Sequence, residues 1–292
     1  MKNAIFTCSD AQYGDFLINH WLKSLKENVN LRNIDVIVLD YGLSEGQRAA
    51  LCAQGLIVYE CAKWGHVTNI RWSDMDRFLK EHPGQYRYVL SLDGGDIIFQ
   101  SDVSHLFDGE ITGYMGVYES KTPALFYTYL CAKGAFDKEV TPRILSRLRD
   151  RKIVNVGFLL TDPAGIEKLA VGIDVLMLDK SKFGPEQVAI NFIISSETFT
   201  PLPEIYNYVL ISHPMEYKVV NGVFRLLNDE LIIIPHNAGE AKHLRPINNF
   251  GYENRNAVRT INRIKSVFLY EFLIPMGLSI YSLLDHIRYF KK

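Results

Sequence analysis

The stretch Tyr86-Arg87-Tyr88-Val89-Leu90-Ser91-Leu92-Asp93-Gly94-Gly95-Asp96 decides the fold. Five of its first seven residues are aromatic or aliphatic, a composition that suits a strand buried in a sheet. The strand runs directly into two carboxylates separated by two glycines. In open α/β sheets, ligands bind in the crevice beyond the carboxyl ends of the strands. A strand ending in acidic residues therefore presents oxygen ligands where a ligand is expected, and hard divalent ions such as Mg²⁺ or Mn²⁺ prefer such oxygens, completed by substrate phosphates. Gly94 and Gly95 permit tight curvature and close approach to the backbone. Asp and Gly are also common turn residues, so the turn acquires meaning only from its surroundings.

Upstream of this strand, short apolar runs alternate with amphipathic stretches, as in βα units around a mainly parallel sheet. Ala4–Cys8 reads as a strand, and Tyr13–Leu25 has helical spacing. Ile34–Leu39 is a continuous apolar run, suited to a strand covered on both faces. Gly42–Cys52 reads as a helix with Ser44 as its N-cap, Gly55–Tyr59 as a strand and Asn69–Lys80 as a helix. Downstream, Val154–Leu160 reads as a strand, Ala164–Leu178 as a helix, and Pro185 opens a helix running to Ile194. Asn221-Gly222 signals a hairpin within Val219–Leu227, and Glu230–Ile234 reads as a further strand. The fold class is α/β: a Rossmann-like, mixed and mainly parallel sheet flanked by helices.

The 292 residues carry 32 Lys plus Arg against 33 Asp plus Glu. That balance argues against a nucleic-acid partner, and an anionic ligand must be held by local features. Cys8, Cys52, Cys61 and Cys131 match neither a zinc site nor a disulfide framework, and read as reduced thiols of a cytoplasmic protein. The first apolar run is too short for a secretory signal. The chain divides into a catalytic domain, 1–250, and a basic, apolar helical extension, 251–292. The extension has seven basic residues against three acids, around the apolar stretch Val267–Leu284 that Glu271, Pro275 and Gly277 interrupt. These interruptions disfavour a spanning helix. Residues 253–292 either lie on the inner face of a membrane as peripheral helices or pack on the catalytic domain.

A second motif, Pro235-His236-Asn237-Ala238-Gly239-Glu240-Ala241-Lys242, follows the apolar run Leu231–Ile234. An imidazole at His236 can complete a metal shell begun by two aspartates, Gly239 lets backbone amides approach a phosphate, and Lys242 adds a point charge. In this order the motifs resemble the GT-A glycosyltransferases, especially glycosyltransferase family 8. The resemblance spans residues 3 to 246 and rests on seven segments. They are Phe6–Tyr13 with Asp10 and Tyr13, Arg77 sixteen residues before Asp93, Asp93–Phe107, Asn155-Val156-Gly157, Glu186-Gln187 with Asn191, Leu202-Pro203 with Tyr206-Asn207, and His236, Gly239 and Lys242.

The resemblance implies a hexosyltransferase, retaining at the anomeric carbon, that uses a UDP-sugar donor and Mn²⁺ or Mg²⁺ and acts on a glycan or lipid-linked glycan. It implies Asp93, Asp96 and His236 as metal ligands. Thr7, Asp10, Tyr13, Arg77, Gly239 and Lys242 would hold the nucleotide and diphosphate, with Arg71 as the rival to Arg77. Asn155, Glu186 and Gln187 would face the donor sugar as the catalytic group. One departure matters: aligning the residues after the acidic turn places Asp96 at the family's second aspartate and Gly94 at its first, so Asp93 must reach the ion through a bulged turn. That departure keeps open a non-catalytic, nucleotide-sugar-binding or scaffold protein of the same fold. A sugar nucleotidyltransferase would need a basic glycine-rich loop after the first strand, where this chain has the acidic Ser9–Asp15.

Overall fold

The computed structural model describes residues 1–119, 123–239 and 245–268. Seven strands form the central sheet: β1 (Lys2–Ser9), β2 (Ile34–Asp40), β3 (Ile57–Glu60), β4 (Tyr86–Leu92), β5 (Tyr114–Glu119), β6 (Ile153–Thr161) and β7 (Phe199–Leu202). Their order is β3-β2-β1-β4-β6-β5-β7. Strands β1 to β4 are mutually parallel, β6 runs antiparallel to both β4 and β5, and β7 is parallel to β5. The mixed, mainly parallel sheet expected from the sequence is what forms.

Alternation along the strands explains the layers. Ala4 and Phe6 face one core while Ile5 faces the other, and Ile37 and Leu39 oppose Val36 and Val38 in the same way. Both faces are covered, so the strands are apolar throughout. On the first face lie α4 (Val67–Glu81), α7 (Pro163–Leu176) and α8 (Pro185–Ile194), whose Trp72, Phe78, Leu169 and Ile190 are buried there. On the second lie α1 (Ala11–Phe16), a π-helical turn (Leu17–Leu22) and α2 (Lys23–Asn28), which bury Leu17, Trp21 and Leu25, followed in sequence by α3 (Glu45–Ala53). Ser44 caps α3 through a capping box with Gln47, as its position predicts.

Two strands, β5 and β7, and two helices, α5 (Pro123–Ala132) and α6 (Val140–Leu148), lie where the sequence pattern marks nothing. Among the described residues strand β7 pairs only with β5, at the sheet edge, and its Thr200 and Pro201 are exposed, so it has no apolar run. The hairpin at Asn221-Gly222 forms, joining β9 (Tyr217–Val220) and β10 (Val223–Leu226), with positive φ at both turn residues. The expected strand Glu230–Ile234 does not form. Its backbone partners are split, Ile232 bonding to Phe224 while Ile233 and Ile234 bond to Ile205, so no continuous ladder develops. Instead β11 (Pro235–His236) pairs in parallel with β8 (Tyr208–Val209).

Beyond residue 250 the chain remains in contact with the body. Phe250 stacks on Phe16 at 6.0 Å, the His20 ring meets the Tyr252 carbonyl at 3.2 Å, and Arg263 donates to the carbonyls of Pro214 and Tyr217. After β12 (Ile247–Asn248) and β13 (Ala257–Val258), α9 (Thr260–Val267) exposes Ile261 and Ile264. From residue 269 onward the interrupted apolar segment, expected either at a membrane surface or against the catalytic domain, lies outside the described residues. Among the described residues, no helix is long and apolar enough to cross a membrane.

Candidate active site

Strand order reverses between β1 and β4: β2 and β3 lie on one side of β1, and β4 lies on the other. The carboxyl ends of these two strands therefore border a natural crevice. A cleft of about 870 Å³ opens there. Its walls include Asp10 and Tyr13 after β1, Arg71 from α4, the acidic turn after β4, Asn155 and Gly157 from β6, Glu186 and Gln187 from α8, and His236, Gly239 and Arg245.

The acidic turn is held from below. A Cβ on Gly94 would lie 2.5 Å from Thr7 Oγ1 and 2.7 Å from the Cys8 carbonyl, so only glycine lets the turn sit on the end of β1. A Cβ on Gly95 would meet the Tyr13 ring at 2.8 Å. These glycines admit protein neighbours rather than a ligand. Trp21 donates its indole N–H to the Asp93 carbonyl (3.0 Å), and the Asp93 amide donates to the Gly157 carbonyl (3.0 Å). The π-helical turn carries Trp21 to that contact, an example of such turns occurring near functional sites.

Asp93, Asp96 and His236 each offer one ligand atom, and these atoms all lie within 4.8 Å of one another. His236 Nε2 is 3.3 Å from Asp96 Oδ1 and 3.6 Å from Asp93 Oδ2. The extra residue in the acidic turn does not keep Asp93 away. Two carboxylates and an imidazole form a donor set that suits Mn²⁺ and leaves coordination positions for phosphate oxygens. Two arginines balance the acids from either side. Arg71 is 2.5 Å from Asp93 Oδ1 and also donates to the Val156 carbonyl, while Arg245 donates to Asp96 Oδ2 at 3.0 Å. Burial alone would raise the Asp96 carboxyl, but His236 and then Arg245 overcome it and hold Asp96 down to about 2. Burial would likewise lower His236, yet Asp96 and then Asp93 raise it above the ordinary imidazole value.

The opposite wall is polar. Asn155 and Gln187 both donate to Glu119 Oε2, at 2.9 and 3.2 Å. Glu186 is 4% exposed, and its Oε2 has no hydrogen-bond partner among the described residues. Burial pushes Glu186 up to about 6 against the lowering pull of Arg71. Gly157 lies between the two walls. A Cβ there would stand 2.6 Å from Asp93 Oδ2 and 2.9 Å from both Asn155 Oδ1 and His236 Cε1.

Ten residues expected at the site are gathered here: Asp10, Tyr13, Asp93, Asp96, Asn155, Glu186, Gln187, His236, Gly239, and Arg71 as the rival arginine. Two expectations are corrected. Thr7 is buried beneath Gly94 and does not line the cleft. Arg77 points away, bound to Asp74 at 2.9 Å and to the Tyr59 hydroxyl at 2.8 Å, so Arg71 takes the inward position. Lys242 lies outside the described residues. Two cleft residues, Glu119 and Arg245, are not marked in the sequence, and Asn207 is marked only within the Tyr206-Asn207 segment, with no role of its own. Arg245 follows His236 in the same segment and was the nearest basic signal after Lys242, whereas Glu119 carried no motif.

No protein-family model matches the sequence, and no curated protein matches it. Solved structures do. The galactosyltransferase LgtC, determined in complex with donor and acceptor sugar analogs, aligns over 91% of this chain and 96% of its own, at 14% identity and a TM-score of 0.56. The bifunctional glycosyltransferase WbbM aligns over 96% of this chain and 51% of its own, at 13% identity and a TM-score of 0.54. The glycosyltransferase GlyE of Streptococcus pneumoniae TIGR4 aligns over 96% of this chain and 65% of its own, at 15% identity and a TM-score of 0.53. The chain has the GT-A fold. At such identities the likeness is one of fold, and the GT-A sheet carries the antiparallel β6 that sets Asn155 and Gly157 beside the acidic turn.

The geometry yields two predictions. Gly157→Ala should force Asp93 and His236 apart, lowering Mn²⁺ affinity at least about tenfold and stability by about 1–3 kcal/mol. Paramagnetic titration of free Mn²⁺ and urea unfolding check it, and unchanged Mn²⁺ affinity would contradict the crowding. Arg71→Met should destabilise by about 3 kcal/mol or more, because it strips the buried partner of Asp93. Arg77→Met should cost less, about 1–2 kcal/mol, since Arg77 is half-exposed and the buried Asp74 keeps its hydrogen bond from the Tyr41 hydroxyl at 2.6 Å. Equal losses in urea unfolding would refute the assignment of Arg71 to the site.

Proposed function

We propose that the protein is a metal-dependent glycosyltransferase that moves a hexose from a UDP-sugar to a glycan or lipid-linked glycan. The observation carrying this reading is the convergence of Asp93, Asp96 and His236 at the strand-order reversal of a GT-A sheet. A divalent ion held by these residues, Mn²⁺ or Mg²⁺, would supply positive charge to the departing diphosphate. Arg245, already against Asp96, adds a fixed positive charge at the same edge, with Lys242 following Gly239 in sequence. Asp10 and Tyr13 form the end of the cleft suited to ribose and base. Asp10 is anchored there by capping the Gln12 amide and pairing with Lys63 at 2.9 Å.

Asn155, Glu186 and Gln187 would face the donor sugar. The unpartnered Oε2 of Glu186 is an acceptor that a sugar hydroxyl can satisfy, and satisfying a buried polar atom favours the bound state. Retention of anomeric configuration rests on the resemblance to glycosyltransferase family 8. Contact with a membrane through residues 253–292 draws support from α9, which exposes Ile261 and Ile264 beside Arg259 and Lys265.

Incubation with a panel of UDP- and GDP-sugars and Mn²⁺ tests the reading. A UDP-hexose should bind and hydrolyse slowly, and Asp96→Asn should reduce turnover by about a hundredfold or more. Binding of no nucleotide sugar overturns it, and binding without turnover for any acceptor would favour a non-catalytic role.

The site also fixes a pH dependence. In the metal-free protein the Asp96–His236 pair stabilises only while the carboxyl is ionised and the imidazole is protonated. The Asp96 contribution is complete above its ordinary value of 3.8 and fades as pH falls toward about 2. The His236 contribution is complete below the ordinary 6.5 and fades as pH rises through its raised value. A divalent ion needs the neutral imidazole, so Mn²⁺ competes with that proton. Mn²⁺ binding should therefore tighten from pH 6 to pH 8, and a constant Kd across that range would exclude His236 as a ligand.

A further inference from the structure

Four side chains from distant parts of the chain form one continuous series of hydrogen bonds ending at the acidic turn. Glu119 Oε2 accepts from Asn155 Nδ2 at 2.9 Å. Asn155 Oδ1 accepts from the Gly157 backbone N–H and from Asn207 Nδ2, both at 2.9 Å. Asn207 Oδ1 lies 2.9 Å from His236 Nδ1.

The direction of every link is fixed by groups with only one choice. A carboxylate can only accept and a backbone N–H can only donate. Glu119 and Gly157 N–H therefore hold the Asn155 amide in a single orientation. Asn155 then presents an oxygen to Asn207, which must answer with its Nδ2. That leaves Asn207 Oδ1 toward the imidazole, so His236 Nδ1 must carry a proton. In the neutral ring, Nε2 is then the bare nitrogen, and Nε2 is the atom facing Asp93 and Asp96. Metal-ligating histidines are commonly oriented by a partner on the other ring nitrogen.

We propose that Glu119 is a positioning residue, which acts through Asn155 and Asn207 to hold His236 in the tautomer that offers Nε2 to a divalent ion. The same oxygen accepts from Gln187 Nε2 at 3.2 Å, so one carboxylate also sets the wall opposite the acidic turn. Glu119 stands at the end of β5 and shares no motif with the residues it orients. The inference rests on the metal reading of Asp93, Asp96 and His236.

The test is Mn²⁺ affinity of the full chain, read from the paramagnetic signal of free Mn²⁺ at pH 8, with thermal unfolding as a control. Glu119→Met removes the acceptor of the Asn155 amide at similar size, and affinity should fall about tenfold or more. Glu119→Gln still offers a side-chain oxygen to Asn155 Nδ2, so its affinity should stay within about threefold of the wild type. With the imidazole neutral and no metal added, the ¹⁵N shifts of His236 should show Nδ1 protonated and Nε2 bare in the wild type, and that preference should weaken in Glu119→Met, a change that a merely structural role does not predict. Wild-type affinity in Glu119→Met, or an equal loss in Glu119→Gln, overturns the proposal. If Glu119→Met does not fold, Asn207→Ala removes the acceptor for Nδ1 directly, and unchanged affinity there overturns it equally. A wild-type protein that takes up no Mn²⁺ overturns the metal reading itself, whereas wild-type uptake with an unmoved Glu119→Met overturns this inference alone.

Discussion

Two carboxylates and an imidazole held within 4.8 Å of one another are the constraint on which the rest of the structure depends. Like charges kept this close repel, and burial removes the water that would screen them. The protein answers with a cation on each flank, Arg71 against Asp93 and Arg245 against Asp96. Neither arginine relieves the centre, where His236 Nε2 faces an oxygen of each aspartate. The three ligand atoms form a donor set of the kind that hard divalent ions take.

The backbone is shaped to serve this cluster. Gly94 lets the acidic turn rest on the end of β1, and Gly157 lets β6 pass within contact of Asp93 and His236. The antiparallel direction of β6 is what brings Asn155 and Gly157 to the same edge as the ends of the parallel strands β1 and β4. Trp21 closes the turn from the other face of the sheet, so both helical layers hold it in place. Rigid support from several elements is what a preorganised electrostatic site requires.

The GT-A fold accounts for the position of the cleft, and the chain's own side chains account for its chemistry. One wall gathers acids, imidazole and arginine, suited to a metal and a diphosphate. The other gathers Glu119, Asn155, Glu186 and Gln187, suited to hydroxyl groups. The cleft thus sets a wall of close ion pairs opposite a wall of amides and carboxylates. Glu119 ties that second wall together, because one of its oxygens serves both Asn155 and Gln187.

The sequence by itself determined the elements whose residues are buried on both faces or carry local punctuation. Strands β1, β2, β4 and β6 are long apolar runs, α3 has its capping box, and α8 opens on Pro185, so each was legible in place. The order of motifs also marked Asp93, Asp96, Asn155, Glu186 and His236, since these fall at strand ends and helix starts. Other features depended on three-dimensional packing. Arg71 and Arg77 lie six residues apart on α4, well over one and a half turns, and so point to different faces. Which of them enters the cleft is settled only when Trp72 and Phe78 seat that helix on the sheet. Thr7 falls under the acidic turn because alternation along β1 sends its side chain beneath Gly94. Glu119, Asn207 and Arg245 meet their partners across gaps of 29 to 149 residues, and no local pattern encodes a contact made at that distance.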